Sequence, residues 1–415
     1  MKNIAVITGG YYPDMSPISA VVDKYIQQLK GDYIFHVITK PSRIDFQPLR
    51  DPYVKVYYVS TLLYRCRLKL DERYKKSSSF LIKLIIQLFR IRTLLLTFLL
   101  DDNFEHWEVE KEFAELEKIN KKIKIDSIIS VSGYSTNPHF AALNFIKKYP
   151  SVKWFTFITD PISFHNSNFD LPYLCSKKRL QRKRYNKELQ IYNNADYNIF
   201  LENLYYDAIE KFNQPKDKTI HFRLVLENMQ SDFCSGESKP GKETSLVYAG
   251  ALYKDIRNPE YMLSVLSEIN GIRTDLFART NQCLDVIKKY ESDNIRLHGG
   301  VGLHEYKRMI CNDYDILLNI GNNCDNQVPS KMLELLSSGR PIINFYYYRD
   351  SQYEMIEKYP LGLNIGRDDI DAVKKVDLFC REMKGKQLPF DEVEKLFPEN
   401  SLKNQKEILI SLINR

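Results

Sequence analysis

The sequence lacks the patterns that mark a metal site or a disulfide framework. Its seven histidines never stand in HxxxH or HExxH spacing, so we predict no metal site. Its seven cysteines are scattered without a CxxC pair, and their odd number argues against a full set of disulfides. These absences favour a reducing compartment and predict a cytoplasmic protein.

The sequence also has little that would export the chain or anchor it in a membrane. The apolar core of residues 1–10 is too short for a signal peptide and is typical of a first strand that runs into a glycine turn. The longest apolar stretch, residues 80–100, is interrupted by Lys83, Arg90 and Arg92, and charges in the middle of a bilayer are costly. We therefore predict no transmembrane helix.

Apolar sequence is sufficient for a large core. The chain has 415 residues, of which 44% are hydrophobic, and this size is more typical of two domains than of one. Its formal net charge of +7 is compatible with anionic partners such as nucleotide sugars or phospholipids. Nucleic acid is not predicted as a partner, because the Lys and Arg residues are dispersed and no known aromatic-basic motif appears.

Strand-like and helix-like segments alternate along the chain. The predicted strands of the N-terminal half are residues 4–8, 33–39, 54–59, 126–131, 154–159, 197–201 and 220–226. Those of the C-terminal half are residues 246–250, 274–278, 294–298, 315–320 and 341–345. This alternation predicts an α/β fold of two Rossmann-like, doubly wound parallel domains that face a central cleft.

Composition indicates where one domain ends and the next begins. Ser, Gly and Pro are concentrated in residues 231–245, as in a linker. We therefore predict an N-terminal Rossmann-like domain over residues 1–230 and a C-terminal one over residues 246–397. Residues 398–415 are predicted to form a capped terminal helix that packs back toward the N-terminal domain.

The apolar stretch 80–100 predicts a helix with a single narrow polar stripe. Such a helix either packs on the N-terminal sheet or at a subunit contact, or it lies in a membrane interface with its basic residues toward the headgroups. A peripheral contact of residues 79–100 with an anionic membrane would be assisted by the basic run 177–187. The alternative for that run is a solvated helix face.

Residues 328–343 are the most informative segment, because they join a helix start to a buried strand. Pro329 and Ser330 suit the first turn of a helix, where unpaired N–H groups and the added charge of Lys331 favour a phosphate. Glu334 lies about 6 Å further along the same helical face, where a carboxylate can accept hydrogen bonds from ribose hydroxyls. The segment predicts a nucleoside diphosphate site; the alternative is an amphipathic helix with a solvated Glu334.

With this motif in view, the chain resembles glycosyltransferase family 4, most clearly over residues 245–343. Family members carry a Glu-x7-Glu pattern followed by Gly-x-Pro, and Glu334, Gly339 and Pro341 match its second half. Asn326 stands where the family has the first glutamate. The resemblance implies the GT-B fold, an acceptor-binding N-terminal domain and a C-terminal domain that binds the nucleotide sugar. It also implies that Glu334 binds the donor ribose, that Ser330 and Lys331 bind the diphosphate, and that Asn326 lies beside the donor sugar.

The resemblance extends to a basic loop after the first C-terminal strand. The family places basic residues after the glycine that ends this strand, and here Gly250 is followed by Lys254 and Arg257. We expect Arg257 and Lys331 to neutralise the leaving diphosphate, with Gly250 and Lys254 on the donor side. The alternative for Arg257 is a surface arginine before a helix.

In the N-terminal half the candidate site residues are not part of an extended sequence motif. Gly9 and Gly10 end the first strand and leave room for a ligand, or they form a plain turn. Asp160 ends a predicted buried strand, with His165 nearby. We predict Asp160 as a catalytic candidate and His165 as an acceptor-side residue. A helix-capping role for Asp160 is the alternative, and no catalytic base is identified.

Together these features predict a glycosyltransferase of hexosyltransferase type. It would move a sugar from a nucleoside diphosphate sugar to a hydroxyl of a glycan or lipid-linked acceptor in bacterial surface polysaccharide synthesis. The resemblance implies retention of configuration, and the cations of the site make a metal cofactor unnecessary. Two alternatives remain: a nucleotide-sugar epimerase on the same fold, and a non-catalytic nucleotide- or glycan-binding subunit, which Ala251 and Asn326 motivate.

Overall fold

The computed structural model describes the chain except residues 101–105, 133–134, 160–161, 164–176, 203, 234–242, 279, 281 and 324–330. At residues 17, 93–100 and 177–180 it describes the backbone alone. The chain divides into two compact units, residues 1–223 with 406–415, and residues 224–405. Most of the predicted linker, residues 234–242, lies outside the described residues.

The first unit contains a parallel sheet of seven strands in the order β3-β2-β1-β4-β5-β6-β7. The strands are β1 (Lys2–Ile7), β2 (Tyr33–Thr39), β3 (Val54–Tyr58), β4 (Ser127–Ser132), β5 (Lys153–Ile158), β6 (Tyr197–Leu201) and β7 (Thr219–Phe222). The helices of the unit are α1 (Pro17–Leu29), α2 (Leu62–Ser77), α3 (Phe80–Leu100), α4 (His106–Lys122), α5 (Asn137–Lys148), α6 (Lys177–Asn194) and α7 (Leu204–Phe212).

The second unit contains a parallel sheet of six strands in the order β10-β9-β8-β11-β12-β13. The strands are β8 (Thr244–Ala249), β9 (Ile272–Phe277), β10 (Ile295–His298), β11 (Ile316–Ile320), β12 (Ile342–Tyr346) and β13 (Gly362–Gly366). The helices are α8 (Met229–Phe233), α9 (Glu260–Ser267), α10 (Leu284–Tyr290), α11 (Leu303–Asn312), α12 (Lys331–Ser337), α13 (Ser351–Lys358), α14 (Ala372–Met383) and α15 (Phe390–Leu396). A 3-10 turn (Pro398–Asn400) and α16 (Leu402–Asn414) complete the chain.

Both sheets are doubly wound, as the alternation predicted. β1 pairs with β2 on one side and β4 on the other, and β8 pairs in the same way with β9 and β11, all in parallel. Helices cover the faces of such sheets, so their strands are apolar on both sides. β11 is buried along its whole length, and Trp154 of β5 is fully buried. The predicted α/β class is therefore confirmed.

The strand order places ligand sites at one edge of each sheet. In open parallel sheets, ligands bind at the carboxyl ends of the strands where the order reverses direction. In the second unit this point lies between β8 and β11, so Gly250, which follows β8 directly, stands at it. In the first unit it lies between β1 and β4.

The stretch 80–100 forms a helix, α3, which packs against α2. Over its described side chains, Ile86 is buried, whereas Phe80, Leu84, Leu88 and Ile91 are between 49% and 76% exposed. The described part of α3 is therefore largely exposed and does not belong to the core of the first unit. No helix of the described chain is sufficiently long and apolar to cross a membrane.

Candidate functional site

The segment around α12 forms a βαβ unit at the centre of the second sheet. β11 and β12 are parallel neighbours, and α12 connects them, with Leu333 and Leu336 buried. Gly339 ends the helix with φ +73°, a conformation that favours glycine. A Cβ atom there would lie 2.1 Å from the carbonyl oxygen of Leu388. Both the backbone conformation and the close approach of Leu388 therefore favour glycine at position 339 of the motif.

Lys331, the first residue of α12, reaches across to the end of β8. Its ammonium group donates a hydrogen bond to the carbonyl oxygen of Ala249. The same group lies 5.4 Å from the centre of the Tyr306 ring, a cation–π distance. A Cβ atom on Gly250 would lie only 2.5 Å from the Nζ atom of Lys331. Gly250 therefore leaves the space in which Lys331 is held.

Burial makes the charge of Lys331 sensitive to its neighbours. Burial lowers the pKa of Lys331 to about 8, the nearby carboxylate of Glu334 opposes this shift, and the positive charge of Arg257 adds to it. A bound anion would stabilise the charged form of this lysine. The shift also indicates that Arg257 and Lys331, far apart in sequence, act on one another electrostatically.

Glu334 lies one turn after Lys331, beside a buried tyrosine. The Tyr306 side chain is 5% exposed. Burial, and after it the negative charge of Glu334, raises the pKa of the Tyr306 hydroxyl. Tyr306 therefore stays a neutral phenol between Lys331 and Glu334.

These side chains line a cavity of about 400 Å³ at the carboxyl end of the second sheet. Its wall is formed by the β8 end with Gly250, by Phe277 at the end of β9, and by Tyr306, Lys331 and Glu334. The volume is within the range of a small-molecule site. Among the described residues of its wall, Lys331 is the one cation and Glu334 the one carboxylate.

A glycine loop that the sequence analysis did not select also lines the cavity. Gly300 and Val301, between β10 and α11, and Leu303, the first residue of α11, form this part of the wall. Gly302 is the N-cap of α11, and no side chain of the described residues caps this helix end. The signal in the sequence was the pair Gly299-Gly300 directly after a strand. The first N–H groups of a helix have no partner within the helix, so an uncapped helix end of this kind suits a polar ligand.

Arg257 and Lys254 lie on the loop that follows Gly250. Two guanidinium nitrogens of Arg257, Nε at 3.1 Å and Nη2 at 2.6 Å, donate to the side-chain oxygen of Asn322. Lys254 is exposed, and its backbone N–H donates to Gln282 over 3.3 Å. Neither residue is among the described residues that line the cavity. The contact places Arg257 beside the segment that leads into residues 324–330.

The remaining predicted site residues divide into two groups. Asn326, Ser330, Asp160 and His165 lie outside the described residues. Gly9 and Gly10 form a turn in which the carbonyl of Gly10 accepts from the N–H of Ser16 over 2.8 Å, and neither glycine has a positive φ.

A search for metal ligands gives no group of three or more His, Cys, Asp or Glu side chains arranged to hold an ion, within the part of the chain that the structure describes. The donor-side candidates that the structure brings together are Gly250, Lys331 and Glu334, with Arg257 acting on Lys331 through its charge.

No protein-family model matches the chain, and no curated protein matches its sequence. Solved structures are similar to it over their whole length. Sucrose-phosphate synthase from Thermosynechococcus elongatus aligns over 100% of this chain and 98% of its own, with a TM-score of 0.67 at 10% identity. WaaG, a glycosyltransferase involved in lipopolysaccharide biosynthesis, aligns over 99% and 98%, with a TM-score of 0.56 at 7% identity.

A protein of another class is also similar. The UDP-GlcNAc 2-epimerase from Neisseria meningitidis, solved with bound UDP-GlcNAc, aligns over 100% of both chains with a TM-score of 0.52 at 11% identity. These likenesses establish the two-sheet GT-B fold that the resemblance implied. Membership of family 4 stays a prediction.

Proposed function

We propose that this protein is a glycosyltransferase that moves a sugar from a nucleoside diphosphate sugar to a hydroxyl of a glycan or lipid-linked acceptor. The observation that carries the proposal is the pairing of Lys331 with Glu334 in one cavity at the carboxyl end of the second sheet. An ammonium group suits a diphosphate, and a carboxylate suits ribose hydroxyls. Two side chains one helical turn apart thus match adjacent parts of one donor molecule.

The chemistry of the proposal is stabilisation of the leaving group. When the bond between the sugar and the diphosphate breaks, negative charge builds up on the phosphate oxygens. Lys331 is largely buried, so its attraction to that charge is weakly screened by water. Arg257 is the second cation, because its charge already acts on Lys331 and its guanidinium can make bidentate phosphate contacts. Two cations supply the positive charge, and the proposed reaction needs no metal ion.

Other predicted residues have supporting roles in this proposal. Gly250 leaves the space for Lys331, and Lys254 is an exposed further cation on the same loop. Asn326 and Ser330, beside the sugar and the diphosphate, and retention of configuration are carried over from the resemblance to family 4. Asp160 and His165, with Gly9 and Gly10, remain the proposed acceptor-side residues.

An epimerase is the second candidate, because one similar solved structure is a UDP-GlcNAc 2-epimerase. Moving a proton at a sugar carbon requires groups that act as acid and base. The described wall of the cavity offers Glu334 as its one carboxylate and contains no histidine. Transfer, which depends on charge stabilisation, agrees better with this wall.

A peripheral position at the inner face of a bacterial membrane, in surface polysaccharide synthesis, completes the proposal. Residues 62–92, which contain α2 and the described side chains of α3, hold nine Lys and Arg and two acidic residues. Their net charge of +7 equals that of the whole chain, so the rest of the chain is neutral on balance. Exposed apolar side chains on α3 lie among these cations. This combination suits a surface of anionic lipid.

Within the basic run 177–187, side chains are described for residues 181–187, and two of the basic ones do not face solvent freely. Arg184 is buried, and burial lowers the pKa of Lys187 to about 8. These two side chains therefore face protein, while Arg182 is exposed. We assign the proposed membrane contact mainly to α2 and α3.

The reaction is tested with the purified full chain, a panel of radiolabelled nucleotide sugars and a bacterial lipid extract. We expect one nucleotide sugar to lose its label to the lipid phase, and only when the extract is present. Conversion of a nucleotide sugar to its epimer without acceptor would favour the second candidate. Binding without any turnover would instead leave a non-catalytic nucleotide-binding subunit.

The membrane contact is tested by vesicle flotation. The full chain should float with vesicles that contain phosphatidylglycerol, and less so as salt is raised. The triple variant Leu84→Gln, Leu88→Gln, Ile91→Gln should lose this binding. A matched triple variant, Leu284→Gln, Ile370→Gln, Leu378→Gln, removes three exposed apolar side chains of the second unit and should keep it. Equal flotation of the two variants would contradict the contact.

A further inference from the structure

A second cavity, of about 260 Å³, lies in the first unit, and its described lining contains none of the donor-side or acceptor-side residues predicted from the sequence. It stands at the carboxyl ends of β2, β3 and β4, the edge at which a doubly wound sheet binds ligands. Its wall includes the polar and aromatic side chains of Lys40, Tyr64, Arg67, Arg92, Glu108 and Asn137. They come from separate parts of the sequence, so no local sequence motif predicts this site.

Three cations converge on this cavity. Lys40 follows β2, and its ammonium group lies 2.5 Å from Glu108 and 5.6 Å from the centre of the Tyr64 ring. Arg67 comes from α2 and Arg92 from α3, so the helical hairpin supplies two guanidinium groups to one space. Two guanidinium groups that line one cavity are suited to a phosphate. The cations outnumber the single carboxylate in the described wall, so an anion is the ligand class that the charges favour.

The floor of the cavity holds buried hydrogen-bond acceptors. Asn137, 3% exposed, donates from Nδ2 to the Oε2 atom of Glu108 over 2.7 Å. Its Oδ1 atom is buried and, within the part of the chain that is described, has no hydrogen-bond partner. A buried amide oxygen without a partner is unfavourable, and a ligand hydroxyl would satisfy it. The cavity therefore presents cations for an anion together with acceptors for hydroxyl groups.

A second carboxyl group lies one turn further along α4. Glu112 is 5% exposed, and its Oε2 atom has no hydrogen-bond partner among the described residues. Burial raises the pKa of Glu112 to about 8, Lys40 opposes this shift, and Glu108 adds to it. At neutral pH this carboxyl group is mostly protonated, so it does not cancel the positive charge of the cavity.

An apolar surface begins at the mouth of the cavity. Phe89 and Arg92 of α3 line the cavity, and Leu84, Leu88 and Ile91 of the same helix are 49%, 57% and 49% exposed. Their spacing of four and three residues places these three side chains on one face of the helix. A ligand held in the cavity by its polar end can thus lay an alkyl chain along α3.

We propose that this cavity binds the glycosyl phosphate head of a lipid-linked acceptor. Arg67 and Arg92 hold the phosphate, Asn137 and Glu108 accept hydrogen bonds from sugar hydroxyls, and the exposed face of α3 contacts the lipid chain. The role of this ligand as the acceptor of a sugar rests on the proposed function. The binding site itself stands on the cavity, and its ligand chemistry is a sugar phosphate in either lipid-linked or free form.

Binding is measured by titration calorimetry on the full chain with glucose 1-phosphate and with dodecyl glucosyl phosphate. We expect both to bind, and the dodecyl compound to bind at least about tenfold more tightly. The double variant Arg67→Gln, Arg92→Gln should weaken both by about tenfold or more. The double variant Arg73→Gln, Arg90→Gln removes the same charge from exposed positions on the same helices and should bind both compounds as the unchanged protein does.

Several outcomes separate the parts of the proposal. Leu88→Gln should weaken the dodecyl compound alone; equal affinity of the unchanged protein for both compounds would overturn the lipid assignment. Equal effects of the two double variants would overturn the cavity. Turnover of a nucleotide sugar with an unaltered affinity of the Arg67→Gln, Arg92→Gln variant would reject the cavity and leave the proposed function. Binding at the cavity without turnover of any nucleotide sugar would reject the function and leave the cavity.

Discussion

Lys331 occupies the space that a side chain on Gly250 would need. The Nζ atom stands 2.5 Å from the ideal position of a Cβ atom at residue 250, while it donates to the carbonyl of Ala249. The two residues are 81 positions apart in the chain. The missing side chain at the end of β8 therefore leaves room for the lysine at the start of α12. A ligand that contacts Lys331 in the cavity also lies beside the backbone at the end of β8.

Replacement of Gly250 by Ala should displace Lys331 and weaken nucleotide binding. A hydrogen bond to a charged group contributes about 1.5–3 kcal/mol, so we expect affinity for the preferred nucleoside diphosphate to fall by about tenfold or more. The measurement is calorimetry on both proteins. Gly385→Ala is the control, because an added Cβ there meets nothing within 4 Å and the residue is not among the described residues that line the cavity. Equal affinities of the two variants would show that the position of Lys331 does not matter for binding.

Nucleotide binding should depend on pH through Lys331. Its pKa is lowered to about 8 by burial, so affinity should fall as pH rises through about 8, when the ammonium group loses its proton. The Lys331→Met variant should bind weakly at every pH, whereas Lys254→Met should keep the pH profile. A profile that is unchanged in Lys331→Met would assign the titration to another group.

The same lowered pKa has the opposite effect on the stability of the ligand-free protein. The unfolded lysine keeps its ordinary pKa of 10.5, so between about pH 8 and pH 10.5 the unfolded chain binds more protons than the folded one. The Lys331 contribution to the free energy of unfolding should therefore rise with pH over this window. The difference between the unchanged protein and Lys331→Met, measured by urea unfolding at several pH values, isolates this contribution. No change of that difference with pH would contradict the shift.

Glu334 should discriminate a ribose from a deoxyribose. We expect the unchanged protein to bind its preferred nucleoside diphosphate more tightly than the 2′-deoxy form, by about tenfold, because a charged acceptor loses a hydroxyl partner. Glu334→Gln should bind both forms weakly and nearly equally. Glu354→Gln, an exposed glutamate on α13, is the control and should keep the preference. A preference that survives in Glu334→Gln would refute the ribose assignment.

Gly339 should be far less replaceable than Gly385, although both have positive φ. At Gly339 an added Cβ would lie 2.1 Å from a backbone oxygen, whereas at Gly385 it meets nothing within 4 Å. The left-handed conformation costs about 1–2 kcal/mol at either site. We expect Gly385→Ala to lower the free energy of unfolding by about that amount and Gly339→Ala to lower it by more, as measured in urea. Equal losses of unfolding free energy in the two variants would mean that the backbone at Leu388 moves aside at little cost.

Local pattern was sufficient for the elements that carry a strong periodic signal. The βαβ unit around Glu334, the strand ending before Gly250 and the helix over residues 80–100 follow from runs of apolar residues, breakers and caps. β13 was missed, because Gly362 and Gly366 bound a short strand with few β-branched residues. Prediction succeeded where the physical cause lies within about one helical turn or one strand.

The sequence by itself determined the fold class and the residue types of the donor-side candidates, since periodicity and motif spacing are local properties. Tertiary structure alone decided that Lys331 meets the end of β8, that the loop before Leu303 lines the cavity, and that α3 exposes Leu84 and Leu88. It also assembled Arg67, Arg92 and Asn137 around the second cavity. The reason is physical: which distant side chains share a space depends on the order in which the strands pair, and no stretch of sequence encodes that order locally.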